Sequence, residues 1–235
     1  MKRSRSYEAK VALLEREKAY PVREAIELLK KTSTAKFPET AEAAIVLGIN
    51  PSQHQVRGTC ALPHGTGKAV RVLVFARGEK VREAEAAGAD YAGGEELAEK
   101  IQKEGWLEFE RVVATPDMMS VVGKLGKILG PRGLMPSPKT NTVTMDVAAA
   151  VRELKAGMIE FRADRAGIVH SIFGKTDFTA EALQENLVAL IRAVLERKPE
   201  GVRGRYIQRV FISATMGPGI RVDETDLLAA AQRKG

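Results

Sequence analysis

The sequence predicts an α+β discontinuous outer domain, residues 1–66 with 158–235, interrupted by an inserted α/β domain over residues 67–157. Three observations carry this reading. The pattern of elements changes to alternating strand and helix near residue 67 and reverts near residue 157. A glycine joint stands at each change: His64-Gly65-Thr66-Gly67-Lys68 first, then Lys155-Ala156-Gly157. The charge is also uneven: residues 67–157 hold 14 Lys plus Arg against 13 Asp plus Glu, so +6 of the chain's net +7 lies in the outer segments.

Each element has its own warrant. Residues 8–19 read as a helix, and Val22, Ala25, Ile26 and Leu29 recur at helical spacing behind Pro21. Ala43 to Ile49 and Arg57 to Leu62 are short apolar runs of strand type. Val70 to Ala76 is a continuous apolar strand, followed by a helix over Glu79 to Ala87, a brief strand over Asp90 to Ala92 and a helix over Glu95 to Glu104. A strand over Val112 to Thr115, a helix from Asp117 toward Leu129 and a helix over Ala148 to Lys155 complete the insert. Strands and helices that alternate through short joints predict a parallel sheet covered on both faces.

Beyond the second joint, Ile159 and Phe161 alternate with Glu160 and Arg162, which marks a half-buried strand. A turn over Arg165 to Gly167 and a strand over Ile168 to Phe173 predict a hairpin. Thr179 caps a long helix striped by Leu183, Leu187, Leu190, Ile191 and Val194. A last strand spans 205–214, and the tail beyond Arg221 frays or forms a loose helix. The chain passes between domains only twice, so Gly65, Gly67 and Gly157 are the expected hinge.

Composition narrows the function. The 235 residues are 44% hydrophobic and 29% charged, a globular balance. The single cysteine, Cys60, excludes an internal disulfide framework and reads as a core residue. With three histidines it forms no zinc-ligand spacing, so no metal or other cofactor is expected. The charged start Met1-Lys2-Arg3-Ser4-Arg5, with no apolar run of spanning length behind it, predicts a cytoplasmic chain without membrane contact. A basic excess confined to the outer segments points to a polyanion partner there.

The stretch Thr34-Ala35-Lys36-Phe37-Pro38-Glu39-Thr40 joins a helix to a strand, a place that needs no large aromatic ring. A ring, an ammonium and hydroxyl groups together can stack on RNA, pair with phosphate and hydrogen-bond; the other reading folds Phe37 into the core. Thr215-Met216-Gly217 closes the last strand. It offers a hydroxyl, a polarizable side chain and a bare backbone, or else a strand-end turn with Met216 in the core. A sheet pairing strands from both flanking segments would set it beside Lys36 and Phe37.

Enzyme readings fail on particular residues. Gly65-Thr66-Gly67-Lys68 looks like the end of a phosphate-binding loop, but Ala69 stands where a Ser or Thr should hold the metal and a strand follows. No Gly-x-Gly-x-x-Gly follows the first strand of the insert, where Ala76-Arg77-Gly78-Glu79 has a single glycine. Asp117 behind Thr115-Pro116 reads as a helix cap. A DNA-binding role lacks a helix-turn-helix or zinc pattern. The run from Gly123 to Pro136, with Lys124, Lys127 and Arg132 among its glycines, reads either as a surface for close approach of phosphate or as a solvated helix end.

These stretches, with Val56-Arg57-Gly58-Thr59, Leu62-Pro63-His64-Gly65-Thr66-Gly67, Gly88-Ala89-Asp90, Ala114-Thr115-Pro116-Asp117, Leu129-Gly130-Pro131-Arg132-Gly133-Leu134-Met135-Pro136 and Ile168-Val169-His170, run in order over about residues 7–222. The chain resembles the family of bacterial large-subunit ribosomal protein one, of the mobile stalk beside the ribosomal exit site. The resemblance implies an RNA-binding domain made from both termini and a Rossmann-like insert on a hinge. It also implies binding to large-subunit rRNA at the stalk base, contact with departing exit-site tRNA and repression of its own operon mRNA. The free protein is expected to be monomeric, without catalytic activity. By the same resemblance Lys36, Phe37, Thr40, Thr215, Met216 and Gly217 face RNA, and the turn over Asp164 to His170 adds Arg165 and His170. The chain departs from the pattern at Pro38, at the short connection Asn50 to Gln55, which lacks a basic pair, and beyond Asp223.

Overall fold

The first antiparallel sheet is built by alternation. In β1 (Thr40–Leu47) the side chains of Ala41, Ala43, Ile45 and Leu47 are buried while those between them face outward. The computed structural model describes residues 4–15, 17–51, 53–202 and 204–232. Within it the chain divides into two compact units, Met1–Gly67 with Ile159–Gly235, and Lys68–Met158.

In the first unit β1 pairs antiparallel with both β7 (Ile168–Lys175) and β8 (Ile207–Ala214), and β8 carries β9 (Ile220–Val222), giving the order β7-β1-β8-β9. Two helices cover one face. The helix α2 (Val22–Thr32) buries Val22, Ala25, Ile26 and Leu29, with Glu24 in its first turn and Lys30 and Lys31 in its last, each complementing the helix dipole. In α8 (Ala180–Glu196) the hydroxyl of Thr179 accepts from the Ala182 N–H at 3.2 Å, and Leu183, Leu187, Leu190, Ile191 and Val194 are all fully buried. A two-stranded ribbon of β2 (Arg57–Ala61) and β6 (Met158–Arg162) brings Cys60 and Phe161 into the same core.

The second unit has a parallel sheet of order β4-β3-β5, made of β3 (Val72–Phe75), β4 (Tyr91–Gly93) and β5 (Arg111–Ala114). Leu73 and Phe75 point into one core with Ile101, Met118 and Leu125, and Val72 and Val74 into the opposite one with Ala84 and Val151. The helices α3 (Glu79–Ala86) and α4 (Glu95–Glu104) lie between its strands, and α7 (Val147–Lys155) follows them, its N-terminus capped by Asp146 accepting from the Ala149 N–H at 3.0 Å.

Several elements differ from expectation. The first helix is α1 (Arg5–Val11) and does not run to residue 19. The Tyr20 N–H donates to the Arg221 carbonyl at 3.0 Å, a pairing with β9 that draws the chain out of helix. Residue 16, inside that expected helix, lies outside the described residues, as do the first three residues of the charged start and residue 52 in the 50–55 connection. The expected hairpin is not one ladder: β6 joins β2, β7 joins β1, and the bridge Ala163↔Val169 is isolated. The helix expected from Asp117 to Leu129 is a 3₁₀ turn (Pro116–Met118), α5 (Met119–Lys124) and α6 (Gly126–Leu129), broken at Leu125 between glycines that favour the helix poorly. Asp117 is exposed inside that turn, and Thr115 holds the cap position. The tail forms α9 (Glu224–Gln232), fastened by Leu227 and Ala231 in the core and by Asp226 accepting from the Val22 N–H at 2.9 Å; residues 233–235 of that tail lie outside the described residues.

Candidate nucleic-acid interface

Antiparallel pairing of β1 with β8 sets Ala41 opposite Ala214, so the loop entering β1 and the turn leaving β8 meet at one end of the sheet. The join is hydrogen-bonded in both directions. The Thr215 N–H donates to the Thr40 carbonyl at 3.1 Å, and the Thr40 N–H donates to the Thr215 hydroxyl at 3.0 Å. The Gly217 N–H donates to the Ala214 carbonyl at 2.9 Å and closes a four-residue turn, in which a Cβ at Gly217 would stand 3.3 Å from that of Ala214. Thr40, Thr215, Met216 and Gly217 are therefore brought together, with Lys36 and Phe37 on the adjoining loop.

Glu39, whose residue type and position alone assign it no role, organises the junction. Its side chain is fully buried. One carboxylate oxygen accepts from the Ser33 hydroxyl at 2.8 Å and the Ala35 N–H at 3.0 Å, and the other accepts from the Met216 N–H at 2.7 Å. Burial pushes the carboxyl up, but the Met216 and Ala35 N–H groups, the Ser33 hydroxyl and the charge of Lys10 outweigh it and hold the group below its ordinary range. An acid directly before a strand, behind Pro38, was the available signal.

With its backbone held, the junction turns its large side chains outward. Phe37 is 55% exposed and Met216 59% exposed, so neither lies in the core. Lys36 is exposed beside them. An aromatic face, a thioether, an ammonium and hydroxyl groups are the set that stacks on bases and pairs with phosphate.

Arg165 and His170 lie elsewhere. His170 is exposed on β7 opposite Ala44, and Arg165 sits in the turn beyond Ile168, which pairs with Val46. At about 3.3 Å per residue the length of β1 separates that turn from Phe37 by roughly 20 Å. The Ile168 and Ala166 N–H groups hold the Asp164 carboxyl below its usual range, and Asp164 lies 3.8 Å from the His170 ring nitrogen. Arg165 instead lines an open cleft with His54, Gln55 and Arg162.

The glycines of the two joints are engaged within their own units. Asn186, fully buried on α8, donates to the Gly65 carbonyl at 3.0 Å and the Phe173 carbonyl at 2.9 Å and accepts from the His64 N–H at 3.0 Å. Gly67 packs so close to Phe178 that a Cβ there would stand 2.9 Å from the ring. Gly157, at φ 101°, follows the C-cap of α7 in the left-handed position that ends many helices.

In the second unit the helix starts that follow β3 and β4 carry carboxylates. Glu79 opens α3, and the Gly94 N–H before α4 donates to Glu96 at 2.8 Å. Lys68 pairs with Glu110 at 3.6 Å. Lys124, Lys127 and Arg132 are exposed along the glycine run, where Gly133 has φ 68°. Among the described residues no group of three or more His, Cys, Asp or Glu is placed to hold a metal ion. One comparison with known proteins adds to this geometry: the family model of the ribosomal protein L1p/L10e family matches residues 29–218.

Proposed function

This chain belongs to the ribosomal protein L1p/L10e family, and on that premise we propose that the surface of Lys36, Phe37, Thr40, Thr215, Met216 and Gly217 is where it grips rRNA. The family makes it a ribosomal protein of the large subunit that binds rRNA and serves as a structural component of the ribosome. The observation that carries the surface is the exposure of Phe37 and Met216 on two chain segments that Glu39 ties together. Core side chains would be buried, and a plain turn would not present both.

The finer role follows from the resemblance. The protein stands at the base of the mobile stalk, contacts departing deacylated tRNA at the exit site, and represses its own operon by offering the mRNA the same surface. It works as a monomer, with the RNA site on the outer unit and the Lys68–Met158 unit as an inserted domain. Gly65, Gly67 and Gly157 are the hinge in this reading, with the Asn186 donation to the Gly65 carbonyl anchoring the first crossing on the side of the outer unit. The test is binding of a stalk-base rRNA fragment against a scrambled duplex at two salt concentrations, with the operon leader as competitor. Preference for the fragment and mutual displacement are expected. Equal affinity for the scrambled duplex would refute the site, and simultaneous binding of leader and fragment would refute repression through it.

A further inference from the structure

Lys10 is a buried cation on α1, a helix that precedes the matched residues. A buried ammonium costs stability unless it is paired. Its Nζ donates to the Met216 carbonyl at 3.1 Å, while the N–H of the same residue donates to Glu39 at 2.7 Å. The backbone of Met216 is thus held at its two polar groups by opposite charges. The turn itself does not need this, since the Gly217 N–H already closes it on Ala214. What the two charges add is a fixed backbone at Met216, from which the exposed side chain leaves the protein surface.

We propose that Lys10 is a positioning residue for RNA binding: α1 reaches across 206 positions of sequence to lock the Met216 turn in its RNA-ready conformation, with Glu39 as the opposing jaw. The proposal rests on the RNA surface described above. Lys10 itself touches no phosphate, because its ammonium is turned inward. Its contribution to affinity is preorganisation of a residue that does touch RNA.

The experiment compares the full chain with K10M and K10R, each labelled with ¹³C-methyl methionine and titrated with the stalk-base fragment over a salt series. K10M removes a charged hydrogen bond and should weaken binding by roughly tenfold. The salt slope should stay unchanged, since no phosphate contact is lost. The Met216 methyl signal should shift and sharpen before any RNA is added, and K10R should restore both affinity and signal. Should K10M not fold, K10Q, which keeps an N–H donor without the charge, takes its place with the same expected direction. Wild-type affinity in the variant, a slope lower by about one, or an unmoved Met216 signal would overturn the proposal. If the unaltered chain ignores the fragment, the RNA surface fails, while the methyl signal still decides whether Lys10 holds the turn.

Discussion

Replacing Phe37 or Met216 with alanine separates an RNA platform from a packing role. Fully burying such a side chain is worth about 1.5–3 kcal/mol. Both are more than half exposed already, so truncation should cost under about 1 kcal/mol of stability. Stacking of a base on an aromatic ring is worth about 1–3 kcal/mol, so F37A should lose roughly 5- to 150-fold in affinity for the rRNA fragment, and M216A, which removes a thioether and no ring, should lose less. The two residues sit on segments joined through Glu39, so the double variant should lose less than the sum of the single losses. Calorimetric titration of the fragment, alongside thermal unfolding of each protein, reads both quantities. Parallel loss of stability and affinity, or affinity unchanged in both variants, would refute the reasoning.

Four further outcomes follow from particular contacts. N186A strips buried partners from His64, Gly65 and Phe173 and should lower stability in urea by about 2–4 kcal/mol; an unchanged midpoint would count against this. The Glu39 carboxyl is depressed in the fold from its ordinary 4.5, so its stabilisation is present above that pH and is lost as pH falls through the lower folded value; E39Q should flatten the acid limb of stability against pH. Burial, with the charge of Glu196 behind it, pushes the Cys60 thiol up to about 11, so a thiol reagent at pH 8 should label it no faster than the protein opens. Deleting about residues 68–156, which carry little net charge, should leave a cooperatively folding protein with most of its rRNA affinity and nearly the same salt slope; lost binding in a folded deletion would place the site partly in the insert.

Much of the fold was legible from local pattern. The stripe of α8, the alternation of β1 and the doubly buried strands of the insert are set by which residues recur at 3.6 or 2 positions, and the structure contains those elements with ends moved by a residue or a few. Local pattern did not say where the first helix stops, because Tyr20 leaves helical geometry to pair with a strand some two hundred residues later. Nor did it show that the strands on either side of the Asp164 turn part into different sheets, since alternation marks a strand and not its partner.

The candidate site divides along the same line. The residue types at Lys36, Phe37, Thr215 and Met216 suggested a ligand surface from the chain alone, but Phe37 and Met216 also read as core. Their exposure, and the roughly 20 Å between them and the Arg165 turn, depend on strand pairing and on which face the helices cover. Glu39 and Lys10 mark the limit most clearly. As residues they are an acid before a strand and a lysine in a charged helix. They become opposing jaws only when β1 and β8 lie side by side and α1 closes on them, because the energy of a buried charge is set by partners far away in sequence.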